Sequence, residues 1–392
     1  MLKRIGIPIL FLFQYQFTFS QTGVQLKELK SACETSIRAG KYLDAMVFLE
    51  KHKTTLQNDT NYTELFEWLG ELYLLQNSWE KIITLYSGHK FLKGEDSTLL
   101  TMARYYKTAP KEKIDLQVST AVSYKPSMSG TPVVEVVING KKYKFWVDTG
   151  AGMTVVTASV AKKINLKQSG KNDASATAAT GIKIDVGYGL IDTLKVGSMS
   201  VKNLPCLVLS DKQLEFRVLG IRFMKVDGII GWNLLQELSI TMDPIAQVVI
   251  FSPSVGPQGR TNQFFWMGVP LIECKDEKGK SLLFTFDSGA NVSAVYPSYA
   301  QKEDTSTAIH KTMTIGSAGG NKKMKTLKYP LITIYGGGQT LHLKNVNTDP
   351  SLGEGALTPD GVLGSNLLKN YVVHFDLKAG VFDLNEDHRR RK

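Results

Sequence analysis

The sequence predicts a multidomain chain: a small α-helical segment followed by an all-β region built from two copies of one lobe. Three observations predict it. Up to about residue 112 glycines are few, and apolar residues recur at three and four positions. From Ile114 onward, glycines and β-branched residues dominate in short alternating runs broken by turns. That second region is written twice, with its landmarks in the same order.

A length of 392 residues favours two or three domains. Hydrophobic residues at 43% and charged residues at 21% allow sizeable cores and argue against wholesale disorder. Residues 1–20 read as a signal peptide. Lys3 and Arg4 form a basic start, Ile5 to Phe13 is continuously apolar, and the stretch ends at Ser20 before Gln21. It is too short for a spanning helix, and no later stop-transfer run follows, so no integral membrane span is expected. The expectation is an exported protein, periplasmic or secreted. No Cys stands near the cleavage point, so a lipid-anchored form is not indicated.

Without residues 1–20 the net charge falls from +11 to +9. Lysines are scattered along the chain, and only Arg389 to Lys392 forms a run, inside a basic tail of residues 385–392. No nucleic-acid module accompanies it, so no nucleic acid is expected as a partner. Cys33, Cys206 and Cys274 are odd in number and widely spaced, with neither a disulfide framework nor metal spacing. The six histidines lack the paired spacing of a zinc site. No metal and no cofactor is expected.

Residues 22–112 form the helical, repeat-like domain. Leu26, Leu29 and Cys33, then Tyr42, Ala45, Met46 and Leu49, carry the helical period. The segment from Ala39 to Leu49 corresponds loosely to Gln76 to Tyr86, 37 positions later. A period in the mid-thirties with an early aromatic in the second helix resembles tetratricopeptide-type hairpins. A module of that kind could take a protein partner in its groove, or simply pack against the next domain. Pro110 to Lys113 marks the linker.

The first lobe, residues 114–255, begins with Gly130-Thr131-Pro132-Val133-Val134-Glu135, turns at Asn139-Gly140 and runs into Phe145-Trp146-Val147-Asp148-Thr149-Gly150-Ala151. The second, residues 262–384, begins with Gly268-Val269-Pro270-Leu271-Ile272-Glu273, turns near Lys278-Gly279 and runs into Phe284-Thr285-Phe286-Asp287-Ser288-Gly289-Ala290. Pro to Asp is 16 positions in one copy and 17 in the other. Asn-Gly suits a two-residue hairpin with positive φ at both positions. Further on, Asp227-Gly228-Ile229-Ile230-Gly231 matches Asp360-Gly361-Val362-Leu363-Gly364. Each copy closes on an acidic strand signal, Asp243 and Asp376, ten positions after Asn233 and Asn366. Two aspartates delivered by apolar strands in duplicated lobes imply a pseudo-two-fold axis with both carboxylates beside it.

At these residues the sequence resembles the aspartic peptidase superfamily, most closely its retropepsin-like lobes, because Ala follows the glycine in Asp148-Thr149-Gly150-Ala151 and in Asp287-Ser288-Gly289-Ala290. The resemblance covers about residues 114–384 and leaves the helical segment outside. It implies a bilobal aspartic-protease-like fold of two retropepsin-like β-barrel lobes, fused in one chain. It further implies an aspartic endopeptidase in which Asp148 and Asp287 form a catalytic dyad that activates water on a peptide bond. Thr149 and Ser288 would hold the two loops together, and Gly150 and Gly289 would keep the carboxylates nearly coplanar. The substrate would be a peptide or protein in extended conformation. Candidate flaps lie about thirty positions after each Asp, around Thr180 and Gly181 in the first lobe and around Gly316, Gly319 and Gly320 in the second.

His374 reads as a packed or satisfied histidine, Cys274 as a buried hydrophobe, and Asp227 and Asp360 as turn-capping residues. Two readings compete with the active endopeptidase. One is a non-catalytic peptide-binding protein with the same fold. The other is a narrow processing protease whose helical segment acts as a regulatory or pro-region.

Overall fold

The computed structural model describes residues 26–87, 89, 94–169, 174–177, 183–218, 221–256, 264–303, 305–317, 320–349 and 357–386. The stretch read as a signal peptide and most of the basic tail lie outside the described residues. Helices over 26–38, Tyr42–Glu50, Lys53–Asn58, Thr63–Leu75, Trp79–Ser87 and Gly94–Tyr106 come first. Two of their turns are alike. Gly40 (φ 67°) and Asn77 (φ 50°) adopt the left-handed conformation. Just beyond them, Lys41 N–H donates to Ser36 O (2.9 Å) and Ser78 N–H to Tyr73 O (2.8 Å), the wrap-around bond that closes a helix end. The two turns stand 37 positions apart, the offset seen in the sequence. That offset is all that links the segment to tetratricopeptide hairpins.

The helices do not form an isolated core. Leu65, Phe66, Leu69, Leu72 and Tyr73 share one buried cluster with Phe265, Leu271 and Leu283 of the second lobe. Arg38 pairs with Glu34 (2.8 Å) and with Glu273 (2.5 Å), its guanidinium 5.5 Å from the centre of the Phe265 ring. The last helix turns to the first lobe, where the Tyr106 hydroxyl shares its proton between the carbonyls of Gly189 (3.1 Å) and Cys206 (2.8 Å). Helical segment and lobes are therefore stitched together by buried apolar surface, the dominant favourable term in folding.

In the first lobe, strands Pro132–Ile138 and Lys141–Val147 form the expected tight hairpin. Asn139 (φ 51°) and Gly140 (φ 74°) are both left-handed, as a two-residue turn with right-handed strand twist requires. In the second lobe, Val269–Asp276 and Ser281–Asp287 form the matching hairpin with a longer turn. There Asp276 Oδ1 accepts the N–H groups of Lys278 (2.9 Å) and Lys280 (2.7 Å), and Gly279 takes φ 80°. The extra residue noted between Pro270 and Asp287 is absorbed in this turn.

Both lobes then repeat one crossing. Lys141–Val147 lies parallel to Gly228–Ile230, and Ser281–Asp287 lies parallel to Gly361–Gly364. Side chains alternate along Pro132–Ile138, with Val134, Val136 and Ile138 directed into the barrel core. The two lobes also share a sheet. Strand Leu238–Asp243 of the first lobe pairs antiparallel with Tyr371–Asp376 of the second, with Ile240 opposite Phe375 and Met242 opposite Val373. Thr241 faces His374 at the centre of this register, its hydroxyl 3.0 Å from His374 Nδ1. Since Thr241 and His374 are equivalent in the duplication, the pseudo-two-fold axis passes between them. His374 is thus a satisfied histidine, and Cys274 is buried, as are Cys33 and Cys206.

Candidate active site

The site lies where the two Asp-ending strands meet. Apolar residues buried in the barrel cores, Phe145 and Val147 in one lobe and Phe284 and Phe286 in the other, anchor each strand. Thr149 and Ser288 follow the aspartates and have no solvent exposure. Their hydrogen bonds cross the axis in pairs. Thr149 N–H donates to Ser288 Oγ (3.1 Å), and Ser288 N–H donates to Thr149 Oγ1 (2.9 Å). Each hydroxyl in turn donates to the opposite strand, Thr149 Oγ1 to Phe286 O (2.6 Å) and Ser288 Oγ to Val147 O (2.7 Å). Four buried bonds therefore lock two loops that lie 139 positions apart in sequence.

This lock brings the carboxylates of Asp148 and Asp287 within hydrogen-bonding reach of each other. Each also accepts a backbone N–H from its own loop, Asp148 Oδ1 from Gly150 (2.9 Å) and Asp287 Oδ1 from Gly289 (2.7 Å) and Ala290 (3.0 Å). The glycines are required by close approach. A Cβ on Gly150 would overlap the Asp287 carboxylate, and a Cβ on Gly289 would overlap that of Asp148. Ala151 and Ala290 play equivalent parts, their carbonyls accepting Trp232 N–H and Ser365 N–H at 2.8 Å each. The Trp232 indole N–H donates to Thr149 O and braces the loop from below.

Burial pushes the Asp148 carboxyl well above the usual carboxylate range, and the facing Asp287 pushes it further. Asp287 is raised by burial as well, but the N–H groups of Gly289 and Ala290 and the hydrogen bond with Asp148 hold it back. The two groups titrate as one pair that shares a proton.

A second layer escaped the reading of the sequence. Thr154 N–H and Oγ1 both donate to Asn233 Oδ1 (2.7 and 2.9 Å), and Ser293 Oγ donates to Asn366 Oδ1 (3.0 Å). The signal was present: a hydroxyl residue stands six positions after each Asp, facing the Asn of each Gly-x-Asn landmark. Asp227 and Asp360 also act structurally, taking the N–H groups of Lys144 and Leu283 (2.9 Å each) and so clamping the crossing strand to its neighbour. Asp360 is fully buried and paired with Lys302 at 2.8 Å.

Residues 134–226 match the family model described as gag-polyprotein putative aspartyl protease. The chain carries a retropepsin-like, aspartic-peptidase fold. A crystal structure of a retropepsin-like aspartic protease from Rickettsia conorii is similar over 37% of this chain and 95% of its own, at 17% identity and a TM-score of 0.23. No curated protein matches the sequence. The retropepsin-like lobe is present twice in one chain, so Asp148 and Asp287 meet without a second copy of the protein.

Of the residues picked out as candidate flaps, Thr180, Gly181 and Gly319 lie outside the described residues. Their flanks are paired strands. Ala174–Thr177 joins Lys183–Val196 with Thr177 opposite Lys183, and Ile309–Ser317 joins Gly320–Gly336 with Ser317 opposite Gly320. Gly316 and Gly320 thus sit at the end of a two-stranded hairpin.

Proposed function

We propose that this chain is an aspartic endopeptidase in which Asp148 and Asp287 act as one general acid/base pair. The observation that carries the reading is the pair itself: two carboxylates in hydrogen-bonding reach, locked by the Thr149–Ser288 exchange. Two carboxylates this close do not both ionise at mildly acidic pH, so one proton is shared. The ionised partner removes a proton from water as that water attacks the scissile carbonyl carbon. The protonated partner donates to the carbonyl oxygen, so that charge is neutralised as the tetrahedral intermediate forms. Backbone N–H groups of Gly150, Gly289 and Ala290 stabilise whichever carboxylate is ionised, so either member of the pair can serve as base while the other serves as acid.

The substrate is an extended peptide lying between the pair and the two hairpins that follow each Asp by about thirty residues, bound as an added strand. Export by way of residues 1–20 belongs to the same reading, and the N-terminal sequence of the mature protein tests it. The helical segment serves as a brace rather than a removable pro-region, since its apolar face shares a core with Phe265, Leu271 and Leu283.

The test is cleavage of a diverse peptide library by residues 21–392 between pH 3 and 8, beside Asp148→Asn and Asp287→Asn. Turnover by the parent protein that both variants lose supports the peptidase. Peptide binding without turnover at any pH, retained in both variants, would instead identify a peptide-binding protein of the same fold.

A further inference from the structure

The two lobes match in backbone but not in charge. Residues 305–348 of the second lobe hold six lysines, two histidines and no acidic residue. The equivalent stretch of the first lobe, residues 166–209, holds five lysines and three aspartates. Lysines that look scattered in the sequence fall together on the second-lobe hairpin. Lys311 lies opposite Thr326, Lys325 opposite Thr312, Lys323 opposite Thr314, and Lys328 opposite Ile309. The two-residue period puts Lys323 and Lys325 on one face and Lys328 on the other, with Lys311 beside it. His310, Lys311, Lys323 and Lys325 are exposed.

Clustered like charges on adjacent strands work against folding, so the hairpin's stability does not explain them. A hairpin that carries cations on both faces presents a positive field whichever face turns to the site. Fields of this kind act over about 8–10 Å in physiological salt, which spans a bound strand and its side chains.

We propose that the second-lobe hairpin selects acidic peptide substrates, with Lys311, Lys323, Lys325 and Lys328 attracting Asp and Glu side chains of the chain to be cut. This inference rests on the peptidase reading above and on the hairpin bordering the substrate. Because the first lobe lacks the excess, the preference is one-sided: acidic residues are favoured on the side of the scissile bond that meets the second lobe. The site is pseudo-symmetric in its carboxylates and polar in its recognition.

The experiment uses residues 21–392 and a matched peptide set built on one cleaved core, flanked on either side by Glu, Gln or Lys. It is run at the highest pH that supports turnover, so that Glu, ordinarily near pKa 4.3, is ionised. The parent protein should cleave Glu-flanked peptides with kcat/KM about tenfold above Gln-flanked ones at low salt, for one flank only, and high salt should close the gap. In the variant K311Q/K323Q/K325Q/K328Q the Glu-to-Gln ratio should approach one. Equal cleavage of Glu and Gln peptides by the parent protein, or a Glu preference that the variant keeps, overturns the proposal and leaves the peptidase reading standing. If no peptide is cut, the peptidase reading fails, and binding of a labelled Glu-flanked peptide decides. Salt-sensitive binding lost in the variant upholds recognition of acidic peptides, and equal binding overturns it. Tighter binding of an oligonucleotide or of anionic phospholipid vesicles than of the Glu peptide also overturns it.

Discussion

Thr149 and Ser288 occupy equivalent positions in the two lobes, and each accepts the other's backbone N–H on its own hydroxyl. Ser288→Ala would leave Thr149 N–H and Val147 O without these partners beneath the carboxylates, where both bonds are buried. A buried polar group left unpaired costs about 1–3 kcal/mol. The expected loss for Ser288→Ala is about 3 kcal/mol, read from the urea midpoint. Ser288→Thr, which copies the first lobe, should keep most of the stability.

Gly150→Ala tests the approach of the two loops. The added methyl would overlap the Asp287 carboxylate, so the pair must move apart. A displacement of about 1 Å at a reacting group costs on the order of 100-fold in rate. Peptide cleavage should fall by at least that much, while Gly152→Ala, where a Cβ meets nothing within 4 Å, should leave the fold and the rate unchanged.

How much of this was legible in the sequence varied with the range of the interaction. Asp148, Asp287 and the Asn139-Gly140 turn could be read because each depends on a few neighbouring residues, and duplication made chance agreement implausible. The pairing of Leu238–Asp243 with Tyr371–Asp376 left no local mark, since any amphipathic strand could have met either. The docking of the helices on Phe265 and Leu283 was hidden for the same reason: an apolar helix face does not announce its partner. Thr154 and Ser293 were visible as an equal offset from the two aspartates, but a lone hydroxyl carries little signal without the Asn it faces.

Glu112 makes stability depend on pH. Burial first, and the nearby Glu237 charge second, push its carboxyl up to about 8, and its Oε1 has no hydrogen-bond partner. A carboxyl raised in the folded state binds its proton more tightly there than in the unfolded chain. Its contribution is therefore fully present below the unfolded value of about 4.3 and is lost as pH rises towards 8. Glu112→Gln should be more stable than the parent protein at pH 8, and the gap in Tm should shrink to nothing by about pH 4. Thermal unfolding at several pH values checks this.

Phe265→Ala should loosen the helical segment. Phe265 is fully buried between Arg38, the helices and the second lobe. Truncating a buried Phe costs about 3–5 kcal/mol. Limited proteolysis should then cut within residues 26–106 sooner than in the parent protein. A variant as resistant as the parent would mean that the helices hold to the lobes by other contacts.

The shared sheet bears on how the protein is made. Leu238–Asp243 leaves the ribosome well before Tyr371–Asp376, its partner more than a hundred residues later in the chain. The helices emerge earlier still, with a face that waits for Phe265 and Leu271. The shared sheet is complete only once Tyr371–Asp376 has been made. A growing chain therefore carries Asp148 without the loop that faces it until Asp287 and the strands of the second lobe have followed.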